Sequence, residues 1–460
     1  MSLINEYLKN AINDCLTSKY FFISFIVIMM IYFNNDNISV FSQELPSIDD
    51  PFLKIDLVTD GLQSPTSMAF ITNSSILITQ KEGIISKIDL DNPTNVEPIL
   101  ELRNVNSKNE RGLLGIAINN NILGSSKIVN NQTEKFSVFL FVTEIGTQLD
   151  REILETTSNN ELRNRVYKYA WDGQSLSNPT IILDLPAGPG TNHQGGKVKI
   201  GPDNQLYTII GELQREGQLQ NFNNGSEPDD SGVIFRVNPV DGSASDDNPF
   251  TKLDEHNNSN PLAKYYAYGI RNSFGFDFDP VTGKLWNAEN GQNLYDEINL
   301  VEPGFNSGWK LVMGPISSSA GVTENDLVNF QGSKYSDPLL SWEQSRGVTD
   351  LEFFKSDNLG QKYKNNIFVG DITRGNLFFF KVHENRTGLI FDDDPDIAND
   401  LIVSTEDDLS SITLGSGFKG ITDIETGPDD DLYILSYSRA DGGQGALYRI
   451  SGNMTITPDS

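Results

Sequence analysis

The chain has a single cysteine, Cys15, in 460 residues. Everything after position 15 therefore lacks a disulfide, a free thiol or a thiolate metal site. Histidine is nearly as scarce, at three residues, so each is worth asking about as an acid, base or ligand. Basic residues are few as well. Thirty-four Lys and Arg face 63 Asp and Glu, a formal charge of −29. No basic face could overcome phosphate repulsion at that balance, which argues against a nucleic-acid partner. The acidity suits a soluble exported chain and supplies oxygen ligands for divalent cations, although most of these residues serve solubility alone.

Long amphipathic helical patterns are also lacking, while Gly, Asn, Asp and Ser are plentiful. That composition favours an all-β fold. Only one long apolar run exists, YFFISFIVIMMIYF at residues 20–33, with Lys9 and Lys19 before it. It is short for a bilayer span and typical of a signal-peptide core, but no small-x-small cleavage site follows it. Residues 1–44 are expected to be a signal peptide or an uncleaved signal-anchor, giving possible membrane attachment through residues 20–33. The body, 45–452, is then extracellular, or anchored at the outer face of the cytoplasmic membrane, and 453–460 is a frayed tail. Sequons at Asn73, Asn131 and Asn385 add little in a chain so rich in Asn.

One hairpin pattern recurs: an apolar strand, a Gly/Pro/Asp/Asn turn, and a second apolar strand. It appears as AFITNSSILITQ (69–80), IGPDNQLYTI (200–209), FDPVTGKLWNA (278–288) and TGPDDDLYIL (426–435). Four hairpins with one turn chemistry, scattered over some 400 residues, predict the blades of a propeller. The irregular spacing calls for long loops, such as 215–232 and 312–336, and loops on one face of a rigid scaffold are where binding residues sit.

The stretch TNHQGGKVKIGPDNQLYTIIGE, 191–212, carries the most chemical information. Val198 to Ile200 and Leu206 to Ile210 read as strands around a GPDN turn. His193 then falls on a glycine-flanked loop at a strand mouth, where a ligand can approach the backbone. Glu212, ending the second strand, is placed to orient it. The histidine is either a general base or a surface residue in a turn.

Taken in order, ERGLLGIAI (110–118), NHQGGKVKIGPD (192–203), GIRNSFGFDFDP (269–280), ENGQNLYDEINLVEPGFNSGW (289–309) and ITDIETGPDDDLY (421–433) resemble one family. It is the soluble glucose and aldose-sugar dehydrogenases dependent on pyrroloquinoline quinone (PQQ), the glucose/sorbosone dehydrogenase family. The resemblance runs from about residue 52 to 450. It implies a six-bladed β-propeller with the cofactor near the central axis. It also implies oxidation of an aldose at its C1 hydroxyl to a lactone, with calcium against the quinone and electrons passing to an external acceptor.

Residue by residue, His193 matches the catalytic base, and Glu212 stands where the family has an aspartate that orients it. Asn192 replaces an acidic neighbour at the substrate, and Glu110 stands where glucose-active members carry a glutamine. Arg271 and Asn272 match the Arg-Asn pair at the cofactor, a guanidinium there suiting negative charge on the quinone. Gly291 and Gln292 match the two calcium-binding carbonyls, with Gln292 in place of proline. Asp296 and Glu297 fall in the family's Asp-Glu-Ile-Asn-Leu signature, with structural roles. Trp342 either packs near the sugar or is a core residue.

The departures lie at the cofactor's carboxylates. A family lysine and two arginines are replaced by Thr373, Gly420 and Thr422, so that Arg374, Lys419 and Arg346 would have to act from shifted positions. If they do not, the chain is a cofactor-less propeller that binds carbohydrate or protein on the same face. A calcium-dependent lactonase is a third reading.

Overall fold

The computed structural model describes residues 45–453 apart from 120–126, 130–131, 135, 146–161, 252–259, 393 and 440. The apolar run 20–33, with the expected signal or anchor, lies outside the described residues, as do Asn131 and residues 454–460.

Each of the four recurring hairpins forms, and each in a different sheet. The first pairs Pro65–Thr72 with Ser75–Gln80, and the second pairs Val198–Ile200 with Leu206–Ile210. The third pairs Gly275–Phe278 with Leu285–Glu289, and the fourth pairs Ile421–Thr426 with Leu432–Tyr437. The turn chemistry explains this. In GPDN, Asn204 adopts a φ of 61°, a left-handed position that Asn tolerates, and Asp203 accepts the Gln205 N–H at 3.0 Å.

Six sheets of four to six strands result, together with a two-stranded ribbon; in chain order the first contains Pro65–Thr72, the second Leu113–Asn119, the third Val198–Ile200, the fourth Gly275–Phe278, the fifth Val348–Phe354 and the sixth Ile421–Thr426. They form an all-β propeller, with two short helices, Pro395–Asp400 and Glu406–Ile412, beside the strands. The first of these occupies the acidic stretch 392–400, where Asp394 caps it by accepting the Ile397 N–H. Where six blades are expected, the fold shows five, and the remaining sheet joins three C-terminal strands to Leu53–Gln63, which crosses from the start of the described chain to pair with Gln444–Gly452. Strands buried on both faces, such as Phe136–Ile145 and Val348–Phe354, read as unbroken apolar runs because they are packed between neighbouring sheets.

The axis is charged rather than apolar. Lys197, just before the strand Val198–Ile200, and Lys199 within it leave the third sheet inward. Lys197 Nζ reaches Asp350 at 2.8 Å and Asp423 at 2.5 Å, in the fifth and sixth sheets. Lys199 Nζ reaches Asp277 at 2.9 Å and Glu352 at 2.8 Å, in the fourth and fifth. Asp423 continues the chain by accepting the Ser67 hydroxyl, at 2.9 Å, in the first sheet. Burying these charges is costly unless every partner remains. Lys197→Met should therefore lose about 3–5 kcal/mol in chemical denaturation, since it strands buried carboxylates. An unchanged midpoint would show that the axial pairs do not hold the sheets.

Candidate active site

Strand ends from three sheets converge above the axial lysines. His193 precedes Val198–Ile200, Glu212 follows Leu206–Ile210, and Arg271 follows Tyr265–Tyr268, all in the third sheet. Glu110 comes from the lead-in to Leu113–Asn119 in the second sheet, and Asn290 from the end of Leu285–Glu289 in the fourth.

His193 sits at φ 62°, a strained left-handed conformation for a residue with a Cβ. Its surroundings fix it there. The Glu110 carboxylate accepts its backbone N–H at 2.6 Å, and a Cβ on Gly211 would come within 2.4 Å of its carbonyl oxygen. The imidazole has a partner at each nitrogen: Nδ1 meets Glu212 Oε1, and Nε2 meets Arg271 Nη2 at 2.9 Å. A carboxylate only accepts and a guanidinium only donates. The ring satisfying both carries its proton on Nδ1 and a lone pair on Nε2. This is the base-competent tautomer, assigned by its partners.

Glu212 is buried and its position is fixed. Its N–H donates to the Arg271 carbonyl at 2.9 Å, and its second carboxylate oxygen accepts the Arg215 N–H at 2.9 Å. Arg271 donates from Nη1 to the Asn290 carbonyl at 2.9 Å and lies 5.3 Å from the Trp309 ring centroid. Its buried Nε has no partner among the described residues. Burial pulls its pKa down, opposed by the charges of Glu212, Glu110, Glu289 and Asp296. Asn272 donates to Glu110 at 3.1 Å and accepts the Gly195 N–H at 3.2 Å.

Beneath Arg271 two glutamates oppose each other across neighbouring strands, Glu289 and Glu297. Glu289 accepts the Arg271 N–H and the Ser307 hydroxyl, both at 2.7 Å. Burial pushes its pKa up to about 7. Burial, and then the charge of Glu289, pushes Glu297 well above the usual carboxylate range. Asp296 takes a structural role, as expected. One oxygen accepts the Gly291 N–H at 2.9 Å, and the other accepts the Arg346 and Gly347 N–H groups at 2.6 and 2.7 Å. Gly291 is needed in that turn, where a Cβ would lie 1.9 Å from the Leu294 carbonyl oxygen. Gln292 beside it is exposed.

A cleft of about 590 Å³ opens beside this cluster. Glu110, Asn192 and Asn290 line it, together with Lys81, Lys197 and Arg439. A groove of about 610 Å³ along the outer edge of the fifth sheet contains none of the site residues.

Four residues expected at the site go elsewhere. Trp342 is fully buried in the core of the fourth sheet, 5.4 Å from Phe378 and 5.9 Å from Phe380, and does not line the cleft. Its place in an inward strand position, opposite Asp296, decides the matter. Arg374 is more than half exposed and 3.9 Å from Glu406. Lys419 pairs with Asp441 at 2.5 Å. Neither lines the cleft, and Arg346 is buried 4.0 Å from Glu406. Of the cations that do line it, Lys197 lies within the NHQGGKVKIGPD motif, while Lys81 and Arg439 come from segments outside the family motifs. Nothing in the sequence marks them as neighbours.

The sequence profile of the glucose/sorbosone dehydrogenase family matches residues 62–449. An uncharacterized protein of Synechocystis is 27% identical over 425 residues, 89% of either chain. The aldose sugar dehydrogenase of Escherichia coli is 24% identical over 401 residues, 87% of this chain and 93% of that one. Among solved structures, the PQQ-bound aldose sugar dehydrogenase of Streptomyces coelicolor superposes with a TM-score of 0.59. It is 19% identical, over 88% of this chain and all of the other, so that this likeness concerns the fold.

Two outcomes check the geometry. Both buried glutamates titrate above their unfolded value of 4.5, so the folded state holds extra protons between about pH 4.5 and 7. Stability should fall as pH rises through that window, and Glu297→Gln should flatten the fall in denaturant melts. An unchanged slope would place the acidic titration elsewhere. Trp342→Ala should cost about 3–5 kcal/mol of stability and leave the affinity for any sugar unchanged.

Proposed function

The chain belongs to the glucose/sorbosone dehydrogenase family, and we propose that it is a PQQ- and calcium-dependent dehydrogenase that oxidises an aldose at C1 to the lactone. The observation that carries this reading is the His193–Glu212–Arg271 cluster beside the cleft, with a lone pair on His193 Nε2. We also count the sheet closed across the two chain ends as a full blade, which makes the propeller six-bladed.

The residues fit the cofactor. A cleft of about 590 Å³ lies within the range of small-molecule sites, and Arg271 keeps a buried N–H without a partner among the described residues. For calcium, the donors at Gly291 and Gln292 are backbone carbonyl oxygens, hard ligands of the kind that ion takes. When bound, the quinone supplies the hydride acceptor, and an external acceptor later removes the two electrons.

The protein's own residues handle the proton and the charge. His193 Nε2 would take the proton of the C1 hydroxyl while the hydrogen on C1 is lost with its bonding pair as hydride. Glu212 holds Nδ1–H and stabilises the imidazolium that forms. Arg271 has to give up its bond to Nε2 for the sugar hydroxyl to reach it, which frees its guanidinium to stabilise developing negative charge. Glu110, which positions both His193 and Asn272 and also lines the cleft, and Asn192 are placed to meet the sugar. The apolar run at 20–33 and the formal charge favour a location outside the cytoplasm. Accessibility of the body to added protease on intact cells tests it.

PQQ titrated into the full chain with calcium should bind, protect against thermal unfolding and be reduced on addition of an aldose. No uptake at micromolar PQQ, with binding of a carbohydrate instead, would make the chain a binding module. His193→Ala should lower turnover by about 10²–10⁴-fold and leave PQQ affinity nearly unchanged. Glu212→Gln should also lower turnover, since it removes the charge opposite the imidazolium. Full activity in His193→Ala would remove the histidine from the chemistry.

A further inference from the structure

We infer that Lys81 and Arg439 form the carboxylate clamp of the cleft, taking over from the cations missing at Thr373, Gly420 and Thr422. The assignment rests on the proposed PQQ reading and names which residues of this chain would hold the cofactor's anionic side.

Both residues line the cleft, Lys81 beyond the end of Ser75–Gln80 in the first sheet and Arg439 beyond the end of Leu432–Tyr437 in the sixth. Their backbones are fastened together. The Lys81 N–H donates to the Ser64 carbonyl at 2.9 Å, and the Ser64 N–H donates to the Gly443 carbonyl at 2.6 Å, on the turn that follows Arg439. Arg439 has also moved only one strand from the position it replaces. Gly420 accepts the Tyr437 N–H at 2.7 Å, so the strand end without its arginine lies directly beside the strand end that has one.

The electrostatics of the pair point to an anion. In a chain with nearly two acids per base, ion pairs engage most of the described cations, including Arg374 and Lys419. Neither Lys81 nor Arg439 has a carboxylate within 4 Å among the described residues. Lys81 Nζ donates instead to the Asn109 carbonyl. Burial lowers the Lys81 pKa; the charge of Glu82 opposes this, Arg439 adds to it, and Glu110 opposes it. Two like charges sharing one wall repel unless something negative lies between them. Lys197, the third cation on the wall, is committed to Asp350 and Asp423 and has no charge to spare. Glu110 is the one carboxylate lining the cleft and is engaged by the His193 N–H and Asn272, so a ligand with three carboxylates supplies the further counter-charge for this pair, and charge-assisted hydrogen bonds to it are the strong kind.

Equilibrium binding of PQQ to the full chain in calcium, read by quinone absorbance without sugar, tests the clamp. Lys81→Met and Arg439→Met should each raise the dissociation constant about tenfold or more, at an unchanged apo melting temperature. Lys81→Arg should recover most of the loss, whereas Arg374→Met should bind like wild type. Dissociation constants within twofold of wild type in both Met variants would overturn the clamp alone. A wild-type chain that takes up no PQQ would overturn the proposed function and the clamp with it.

Discussion

The propeller depends on two lysines. Lys197 and Lys199 project from one short strand and the residue before it into the axis and meet carboxylates from three other sheets, while Asp423 extends the contact to a fourth. A ring of sheets could be closed by apolar contact alone, as the core clusters between neighbouring sheets are. The axis differs because its charges are worth having only together. Each lysine compensates at least two buried acids, and removing one member leaves the rest stranded in a low-dielectric interior. The strand is thereby held in one register, and its lead-in, residues 191–197, is held at one height above the axis.

That fixed height supports the chemistry. His193 is the residue four positions before Lys197, so the axial pairs and the catalytic loop share one stretch of backbone. The strained φ at His193, the close approach of Gly211 and the carboxylate of Glu110 on its N–H all hold a single imidazole position. Glu212 and Arg271 then set its tautomer from opposite sides. Glutamate in place of the family's aspartate still reaches Nδ1, because the end of Leu206–Ile210 is bonded directly to the Arg271 carbonyl. The longer side chain is accommodated without losing the contact.

The sequence itself carried much of this. The repeated hairpins were legible because their turns need particular residues at particular φ values and their strands alternate or run apolar, all within ten residues. The pairing of His193 with Glu212 was legible because it follows from one hairpin. Lys81 and Arg439 were not, since they lie 358 positions apart in the numbering and meet only where the first and sixth sheets adjoin. Trp342 could be read either way until its strand was placed, because an aromatic residue in a β segment fits a core as well as a sugar face.

Sequence alone determined the all-β class, the position of His193 on a glycine-bounded loop and its partner Glu212 at the end of the same hairpin. These are local consequences of turn geometry and period-two patterning. Only the tertiary structure decided which cations face the cleft, that Arg374 and Lys419 are neutralised outside it, and that the last sheet is closed by the first long strand. Those outcomes depend on which strand ends the ring brings side by side. Ring closure is a long-range condition, and it leaves no trace in the spacing of residues along the chain.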